Sequence, residues 1–159
     1  MRKLVVLVAL LGTLAAAASA GGAVAKRDVG KAKTLTGLSN ARVQVTLLKV
    51  VNDATPEEFR EPKAGNRVVA LKLKLKNLTA RTYEDYVTNG ARLVDARGKT
   101  RKAPALGSVE PHLGQIKLAR NGTATGWITF EVPEGVAISK FKYELNSGFG
   151  GQVATWRLR

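Results

Sequence analysis

Apolar and polar residues alternate with a period of two along several stretches of the chain. The clearest stretch is LKLKLKN at residues 71–77. Its two alternating sets are Leu71, Leu73 and Leu75, and Lys72, Lys74 and Lys76. Successive side chains of a β-strand point to opposite faces of the sheet. Residues 67–77 are therefore predicted to form the longest strand, with the leucines buried and the lysines on the other face.

The same alternation predicts further strands on both sides of this one. The sequence ARVQVTLLKVV at residues 41–51 keeps the alternation until Leu47 and Leu48, where the phase slips. Such a slip indicates a β-bulge or burial on both faces. Shorter strands are predicted at residues 91–94, before a tight turn at 95–98, and in SKFKYEL and VATWRL near the C-terminus. No window longer than about ten residues has a helical period.

The sequence QIKLARNGTATGWITFEV at residues 115–132 predicts a β-hairpin. Asn121-Gly122 favours a type I′ turn. The turn would join a strand near Ile116 and Leu118 to a strand that contains Ile128. About seven short strands with polar turns predict an all-β protein, an immunoglobulin-like antiparallel β-sandwich over residues 41–159.

The first forty residues lack this alternation. Residues 1–20 combine the basic Arg2 and Lys3, an apolar run and small residues before Gly21, which is the layout of a secretory signal peptide. The apolar run is shorter than the about 20 residues of a membrane-spanning helix, and retention as a membrane anchor is the alternative. Residues 21–40 are predicted to be a flexible basic leader, ordered at most near Leu35 and Leu38. We expect a location in the cell envelope or outside the cell, without a membrane span after cleavage.

Four segments occur in an order and spacing that resemble a known group of domains: GNRVVALKLKLKN, LVDARGK, GTATGWITFEVPEG, and FKYEL followed by a tryptophan. The group is a family of secreted bacterial immunoglobulin-like domains of unknown function. The chain resembles in particular the domain of the immunoprotective extracellular antigens of actinobacteria, over residues 41–158. The resemblance implies the fold and an exported location, and it supplies no catalytic residue. Many members carry a lipidated cysteine, which this chain lacks, so it implies release rather than tethering.

The composition restricts the chemistry that the chain can perform. It has 26 basic and 12 acidic residues, a net charge of +14, which favours anionic partners. With no cysteine, one histidine and one methionine, we expect no metal site and no cofactor. The histidine, His112, is predicted to be an ordinary exposed loop residue. Glu84 and Asp85 are adjacent, so on a strand they would point to opposite faces and could not flank one bond.

The candidate binding residues are lysines and one tryptophan. Lys72, Lys74 and Lys76 would form a row with a spacing of about 6.7 Å that suits a polyanion. The simpler interpretation is the solvated face of a sheet, where lysine also discourages edge-to-edge association. Lys140 and Lys142 are further candidate anion contacts.

The two tryptophans are predicted to differ in burial. Trp127 has the opposite phase to Ile128, so it is either exposed on the outer face or covered by a loop or the leader. Trp156 is predicted to lie in the core, because it has the same phase as Ala154 and Leu158.

Three functions remain open. The favoured one is a secreted, non-catalytic binding module whose partner is an unknown protein or an anionic polymer. The second is a polyanion binder, which would hold nucleic acid only non-specifically because stacking aromatics do not accompany the lysines. It requires the row at Lys72 to join Lys140 and Lys142 in one patch. The third, a small hydrolase, requires two convergent carboxylates in a cleft.

Overall fold

The computed structural model describes residues 27–104 and 107–159, so the predicted signal peptide and the start of the leader lie outside the described residues. The elements in chain order are β1 (Ala32–Thr36), β2 (Arg42–Val51), β3 (Asn66–Asn77), β4 (Tyr83–Tyr86), α1 (Val87–Gly90), β5 (Ala91–Asp95), β6 (Thr100–Lys102), β7 (Gln115–Leu118), β8 (Thr123–Pro133), β9 (Ile138–Glu144) and β10 (Val153–Arg157). Single turns of 3₁₀-helix lie at Leu38–Asn40 and Asn146–Gly148. Within these two ranges, no helix has the length and apolarity to cross a membrane.

The strands form two four-stranded sheets and one additional pair. The first sheet has the order β1-β2-β3-β8, the second has the order β10-β9-β5-β6, and β4 pairs with β7. All of these pairings are antiparallel. Phe130 of the first sheet meets Phe141 of the second edge to face, with 6.4 Å between the ring centres. The two sheets therefore pack face to face, and the predicted antiparallel β-sandwich is confirmed.

Alternation along each strand builds the core between the sheets. Leu71, Leu73 and Leu75 of β3 are completely buried, as the pattern predicts. Trp156 of β10 is also completely buried, and its indole N–H donates to the Lys31 carbonyl at 2.9 Å. Full burial of a side chain such as leucine stabilises the fold by about 1.5–3 kcal/mol. The prediction that Trp156 belongs to the core is confirmed.

The predicted irregularity in β2 is a β-bulge. The register between β2 and β3 shifts between Leu47 and Lys49. Leu47 is buried in the core, whereas Leu48 is partly exposed. After the extra residue, Lys49 lies opposite Lys72 and shares its face of the sheet. The bulge thus adds a fourth lysine to the predicted row.

The hairpin predicted around Asn121-Gly122 is wrong. The chain does turn there, with the Gly122 N–H donating to the Ala119 carbonyl at 2.8 Å. However, β7 pairs with β4, and β8 pairs with β3. Asn121 has φ of 62° but Gly122 does not have a positive φ, so the turn is not type I′.

The buried Asn77 at the end of β3 explains the altered pairing. Its backbone exchanges hydrogen bonds with the turn, to the Gly122 carbonyl and from the Asn121 N–H, both at 3.0 Å. Its side-chain amide donates to the Leu118 and Ala119 carbonyls. These contacts hold the turn at the end of β3, so β8 runs along β3 and β7 diverges towards β4.

The predicted leader is wrong in its second half. Ala32–Thr36 form β1, which pairs with residues 42–46 of β2 and buries Leu35. The carboxylate of Asp28 accepts hydrogen bonds from the Lys31 side chain at 2.6 Å and from the Arg157 N–H at 2.9 Å. The chain is therefore attached to both sheets before the predicted domain boundary at Ala41.

Candidate functional site

The outer face of the first sheet carries an ordered set of polar side chains. Three cross-strand rows are formed by residues of β2, β3 and β8 in register. From one end to the other, the rows are Lys49, Lys72 and Trp127; Thr46, Lys74 and Thr125; and Gln44, Lys76 and Thr123. We refer to these nine residues as the lysine face. All nine are exposed or half-buried, so their polar groups can reach solvent.

The lysine face contains four ammonium groups and no carboxylate. The next outward-facing acid on β8 is Glu131, beyond the face, where it accepts hydrogen bonds from the Lys63 N–H and the Asn66 amide. Lys49 and Lys72 lie directly opposite one another. Like charges in this position destabilise a sheet. The face therefore has a positive charge that its own side chains do not balance.

Trp127 is half-buried at one edge of the lysine face. Its backbone N–H donates to the Pro111 carbonyl, and its carbonyl accepts from the Leu113 N–H, both at 2.8 Å. The approach of this segment requires Gly126, because a Cβ there would lie 2.7 Å from the Pro111 oxygen. The Nζ atom of Lys72 lies 5.5 Å from the centre of the indole ring. Trp127 was predicted to be either exposed or covered. It is neither fully exposed nor fully covered, because one loop lies beside it and part of its surface is accessible.

Loops cover this outer surface on β3 and β8 beyond Lys72 and Trp127. Three residues on the outer side of β3 and β8 are almost completely buried: Val68, Ala70 and Thr129. The Ala54 N–H donates to the Val68 carbonyl at 2.9 Å, and the Ser108 N–H donates to the Thr129 hydroxyl at 3.1 Å. The residues 52–65 and 107–114 therefore mark the limit of the lysine face.

Lys140 and Lys142 lie on the outer face of the second sheet. They alternate along β9 with the buried Phe141 and Tyr143, which point towards the core. The lysine face and these two residues are thus on opposite sides of the sandwich. The single patch that would join Lys72 to Lys140 and Lys142 is contradicted by the structure, because the hydrophobic core separates them.

Glu84 and Asp85 point to opposite sides of β4, as predicted. Glu84 is exposed and forms an ion pair with Lys117 at 2.8 Å. Asp85 is buried and accepts five hydrogen bonds. Its donors are the hydroxyls of Tyr83, Tyr143 and Ser147 and the backbone N–H groups of Asn146 and Ser147. This carboxylate therefore holds the 146–148 turn against β4.

The two tyrosines that donate to Asp85 are strongly perturbed. Burial, together with the hydrogen bond to Asp85, raises the pKa of Tyr83 well above its ordinary range. Burial and the negative charge of Asp85 likewise raise the pKa of Tyr143 well above its ordinary value. Both hydroxyls keep their protons at physiological pH, so they remain donors to the carboxylate.

Among residues 27–104 and 107–159, Asp28 and Asp95 are the other two buried acids, and both have a lowered pKa. The hydrogen bond from Lys31, followed by that from the Arg157 N–H, lowers the pKa of Asp28 well below its ordinary range. Burial alone raises the pKa of Asp95, but hydrogen bonds from Arg101 and from the N–H groups of Lys99 and Arg97 outweigh it and lower the pKa. Each acid therefore joins neighbouring segments as a structural anion.

His112 was predicted to be an exposed loop residue, and it is half-buried instead. Its ring packs between Gly107 and Gly114, and a Cβ at Gly107 would lie only 2.2 Å from Nδ1. The ring thus fills the space that two glycines leave open in the loop. In the described part of the chain, His, Asp and Glu residues form no group of three or more that could hold a metal ion.

The sequence pattern missed Lys49, Arg92 and Lys102, which the sheets place in line with predicted lysines. Lys49 lies opposite Lys72 in the first sheet. Arg92 lies between Lys142 and Lys102 in the second sheet. The phase slip at Leu47 was the available signal for Lys49. The pairing of β5 with β9 and β6 depends on the topology, so alternation alone does not indicate the position of Arg92.

The comparisons with known proteins place the chain at the level of family and fold. Residues 37–154 match the family described as Domain of unknown function (DUF4352). The structure is similar to MPT63, a secreted protein from Mycobacterium tuberculosis, with a TM-score of 0.64 and 14% identity over 82% of this chain and 94% of that chain. It is also similar to the yjhA protein from Bacillus subtilis, with a TM-score of 0.58 and 13% identity over 82% of this chain and 98% of that one.

At these identities the two structures show the fold alone. The predicted resemblance to a β-sandwich domain of unknown function is confirmed, whereas the likeness to an actinobacterial antigen is only distant. No curated protein matches the sequence.

Proposed function

We propose that this chain, which belongs to the Domain of unknown function (DUF4352) family, is a secreted, non-catalytic module that binds an anionic polymer on its lysine face. The patch with Lys140 and Lys142 that was expected for such binding does not form, and Lys49 enlarges the row at Lys72 instead. The observation that carries the proposal is the resulting charge of that face: four lysines within nine positions, with no carboxylate among them. The net charge of +14 adds a long-range attraction for anions.

The spacing of the lysine face fits a polymer better than a single ion. Lysines along β3 repeat at about 6.7 Å, and neighbouring strands are about 4.8 Å apart. Lys49 and Lys72 repel each other across the strands, and a bound chain of anionic groups would relieve that repulsion. The hydroxyls of Thr46, Thr123 and Thr125 offer neutral hydrogen bonds between the charges. We expect nucleic acid to bind there without sequence selectivity, because base-reading groups are few.

The carboxylates support a binding role rather than hydrolysis. The buried acids Asp28, Asp85 and Asp95 are each used to join segments of the fold. Glu57 and Glu110 converge, but on Arg60, whose Nη1 lies 3.7 and 3.3 Å from them, and all three side chains are well exposed. A carboxyl group that acts as a general acid is commonly buried in an apolar site, whereas these side chains are exposed.

Export is supported by the N-terminal sequence. Arg2, Lys3 and the apolar run that follows have the layout of a secretory signal peptide. MPT63, which shares the fold, is described as a secreted protein. We propose that the module acts outside the cell or in its envelope.

The proposal is tested by measuring the affinity of the chain without its first 20 residues for heparin at several salt concentrations. Counterion release makes such binding fall steeply with salt. The variant Lys72→Gln/Lys74→Gln/Lys76→Gln should bind more weakly and with a smaller salt dependence. The matched control is Lys63→Gln/Lys99→Gln/Lys117→Gln, which removes the same charge from exposed positions outside the face. Equal losses in the two variants would show that net charge, rather than the lysine face, determines binding.

A further inference from the structure

The outer face of the second sheet contains a line of three cations. Arg92 of β5 lies directly opposite Lys142 of β9 on one side and Lys102 of β6 on the other. Neighbouring strands are about 4.8 Å apart, and like charges directly opposite each other destabilise a sheet. Thr155 of β10 continues the line beyond Lys142. An anion between these side chains would relieve their repulsion.

The guanidinium of Arg92 is held in place by the protein. Its Nη1 donates to the carbonyls of Asn89 and Ala91 at 2.7 and 2.8 Å. The nearest acid on this face, Glu144, accepts a hydrogen bond from the Gly151 N–H at 2.7 Å. The carboxylate of Glu144 thus closes the 146–152 loop. The hydrogen bonds of Arg92 fix the orientation of its guanidinium in the absence of a ligand, which lowers the entropic cost of binding.

Two adjoining cavities lie along this line, and Arg92 lines both of them. One has a volume of about 450 Å³ and includes Lys142 with the hydroxyls of Thr100 and Thr155. Glu144 also lines this cavity, and its carboxylate accepts the hydrogen bond from the Gly151 N–H. The other has a volume of about 280 Å³ and includes Lys102. We refer to the two cavities together as the arginine trough. Its size suits a small organic molecule.

Apolar side chains border the arginine trough. Val153 lines the larger cavity and is 52% exposed, and Phe149 lines the smaller cavity and is 76% exposed. Phe149 belongs to a loop that is closed by hydrogen bonds, including those from the Asn146 and Ser147 N–H groups to Asp85. The phenyl ring is therefore held by an ordered loop at the border of the smaller cavity, where a ligand in that cavity can reach it.

We infer that the arginine trough binds a small organic oxyanion, a carboxylate or a phosphate, that carries an apolar body. The oxyanion lies between Arg92 and the two lysines, where it gains charge-assisted hydrogen bonds. The apolar body lies against Phe149. This site does not rest on the proposed function, because it is on the opposite side of the sandwich from the lysine face.

The test is a titration of the ¹⁵N-labelled chain, without its first 20 residues, by nuclear magnetic resonance at low salt. The probes are phenyl phosphate, phenylacetate, inorganic phosphate and benzyl alcohol. Phenyl phosphate or phenylacetate should bind about tenfold more tightly than inorganic phosphate, because only the organic anions bury an apolar group. Benzyl alcohol should bind more weakly than either organic anion. The relative affinities for phenyl phosphate and phenylacetate show whether the site prefers a phosphate or a carboxylate. The shifts should centre on Arg92, Lys142 and Phe149.

Variants test the cationic part and the apolar part of the site separately. Lys102→Gln/Lys142→Gln changes only exposed or half-buried side chains and should weaken the preferred anion about tenfold. Phe149→Ala should reduce its affinity to that of inorganic phosphate. Lys74→Gln/Lys76→Gln, on the lysine face, should leave it unchanged. Absence of saturable binding, or binding that the lysine and phenylalanine variants leave intact, would overturn the inference.

Discussion

Lys72 and Trp127 lie directly opposite each other on β3 and β8, with the ammonium nitrogen 5.5 Å from the centre of the indole ring. An ammonium over an indole face at an exposed site is worth about 0.5–1 kcal/mol. On its other side, Lys72 faces Lys49, which repels it. The indole therefore helps to hold Lys72 on the lysine face despite the neighbouring charge.

A double-mutant cycle measures this contact. Trp127→Ala should reduce the free energy of unfolding. The change in the double variant with Lys72→Gln should be about 0.5–1 kcal/mol less destabilising than the sum of the two single changes, because both single variants remove the same contact. The control cycle pairs Trp127→Ala with Lys76→Gln, two rows away on the same face, and should be additive. Additivity in both cycles would show that the indole does not stabilise the ammonium of Lys72.

The alternation in β3 makes a second prediction. Leu73→Ala should reduce the free energy of unfolding by about 2–5 kcal/mol, because it leaves a cavity among completely buried side chains. Lys74→Ala, at the next position, should change it by less than about 0.5 kcal/mol, because Lys74 is exposed. Denaturation by urea at neutral pH measures both. Similar values for the two variants would mean that the phase of β3 is incorrect.

Asp85 and Glu84 provide a matched pair on β4. Asp85→Asn should be strongly destabilising, by about 1–3 kcal/mol or more, because the amide nitrogen would meet hydroxyl and N–H donors that now share a carboxylate. Glu84→Gln should cost less than about 1 kcal/mol, because its pair with Lys117 is on the surface. Thermal unfolding would contradict the assignment if Glu84→Gln were the more damaging change.

The lowered pKa values of Asp28 and Asp95 predict a loss of stability in acid. A carboxyl group whose pKa is lower in the folded than in the unfolded state stabilises the fold above its unfolded pKa, about 3.9 for aspartate. This contribution is lost as the pH falls from there towards the folded pKa. Asp28→Asn and Asp95→Asn should each lower the melting temperature at pH 7 and make it less dependent on pH below about 4. If the melting temperature of both variants fell in acid as much as that of the unchanged chain, the two aspartates would not be the source of the acid sensitivity.

The sequence predicts the parts of the fold that depend on local alternation. The burial of Leu73, the bulge after Leu47 and the phase of Trp127 all follow from the period of two. Pairing between strands is a non-local property, and the sequence around Asn121 indicated the wrong partner. The decisive contacts there come from Asn77, which is 44 residues earlier and whose side chain reaches two carbonyls of the turn.

The candidate surfaces were predictable to different extents. Lys72, Lys74 and Lys76 share a face because they share a strand, so one sequence segment is sufficient to predict their row. Arg92 joins Lys142 and Lys102 only through the order of strands in the second sheet. The patch of Lys72 with Lys142 that a polyanion binder was expected to require does not form, for the same reason: the charge of a strand does not indicate which sheet that strand joins.

The most direct test of the proposed function locates the polymer on the protein. The ¹⁵N-labelled chain without its first 20 residues is titrated with a short heparin oligosaccharide, and the amide shifts are mapped onto the two sheets. The largest changes should lie on the lysine face, at Thr46, Lys74 and Thr125, and should diminish steeply as salt is added. Changes that are centred on the second sheet around Lys140, or spread equally over both sheets, would contradict the proposed function.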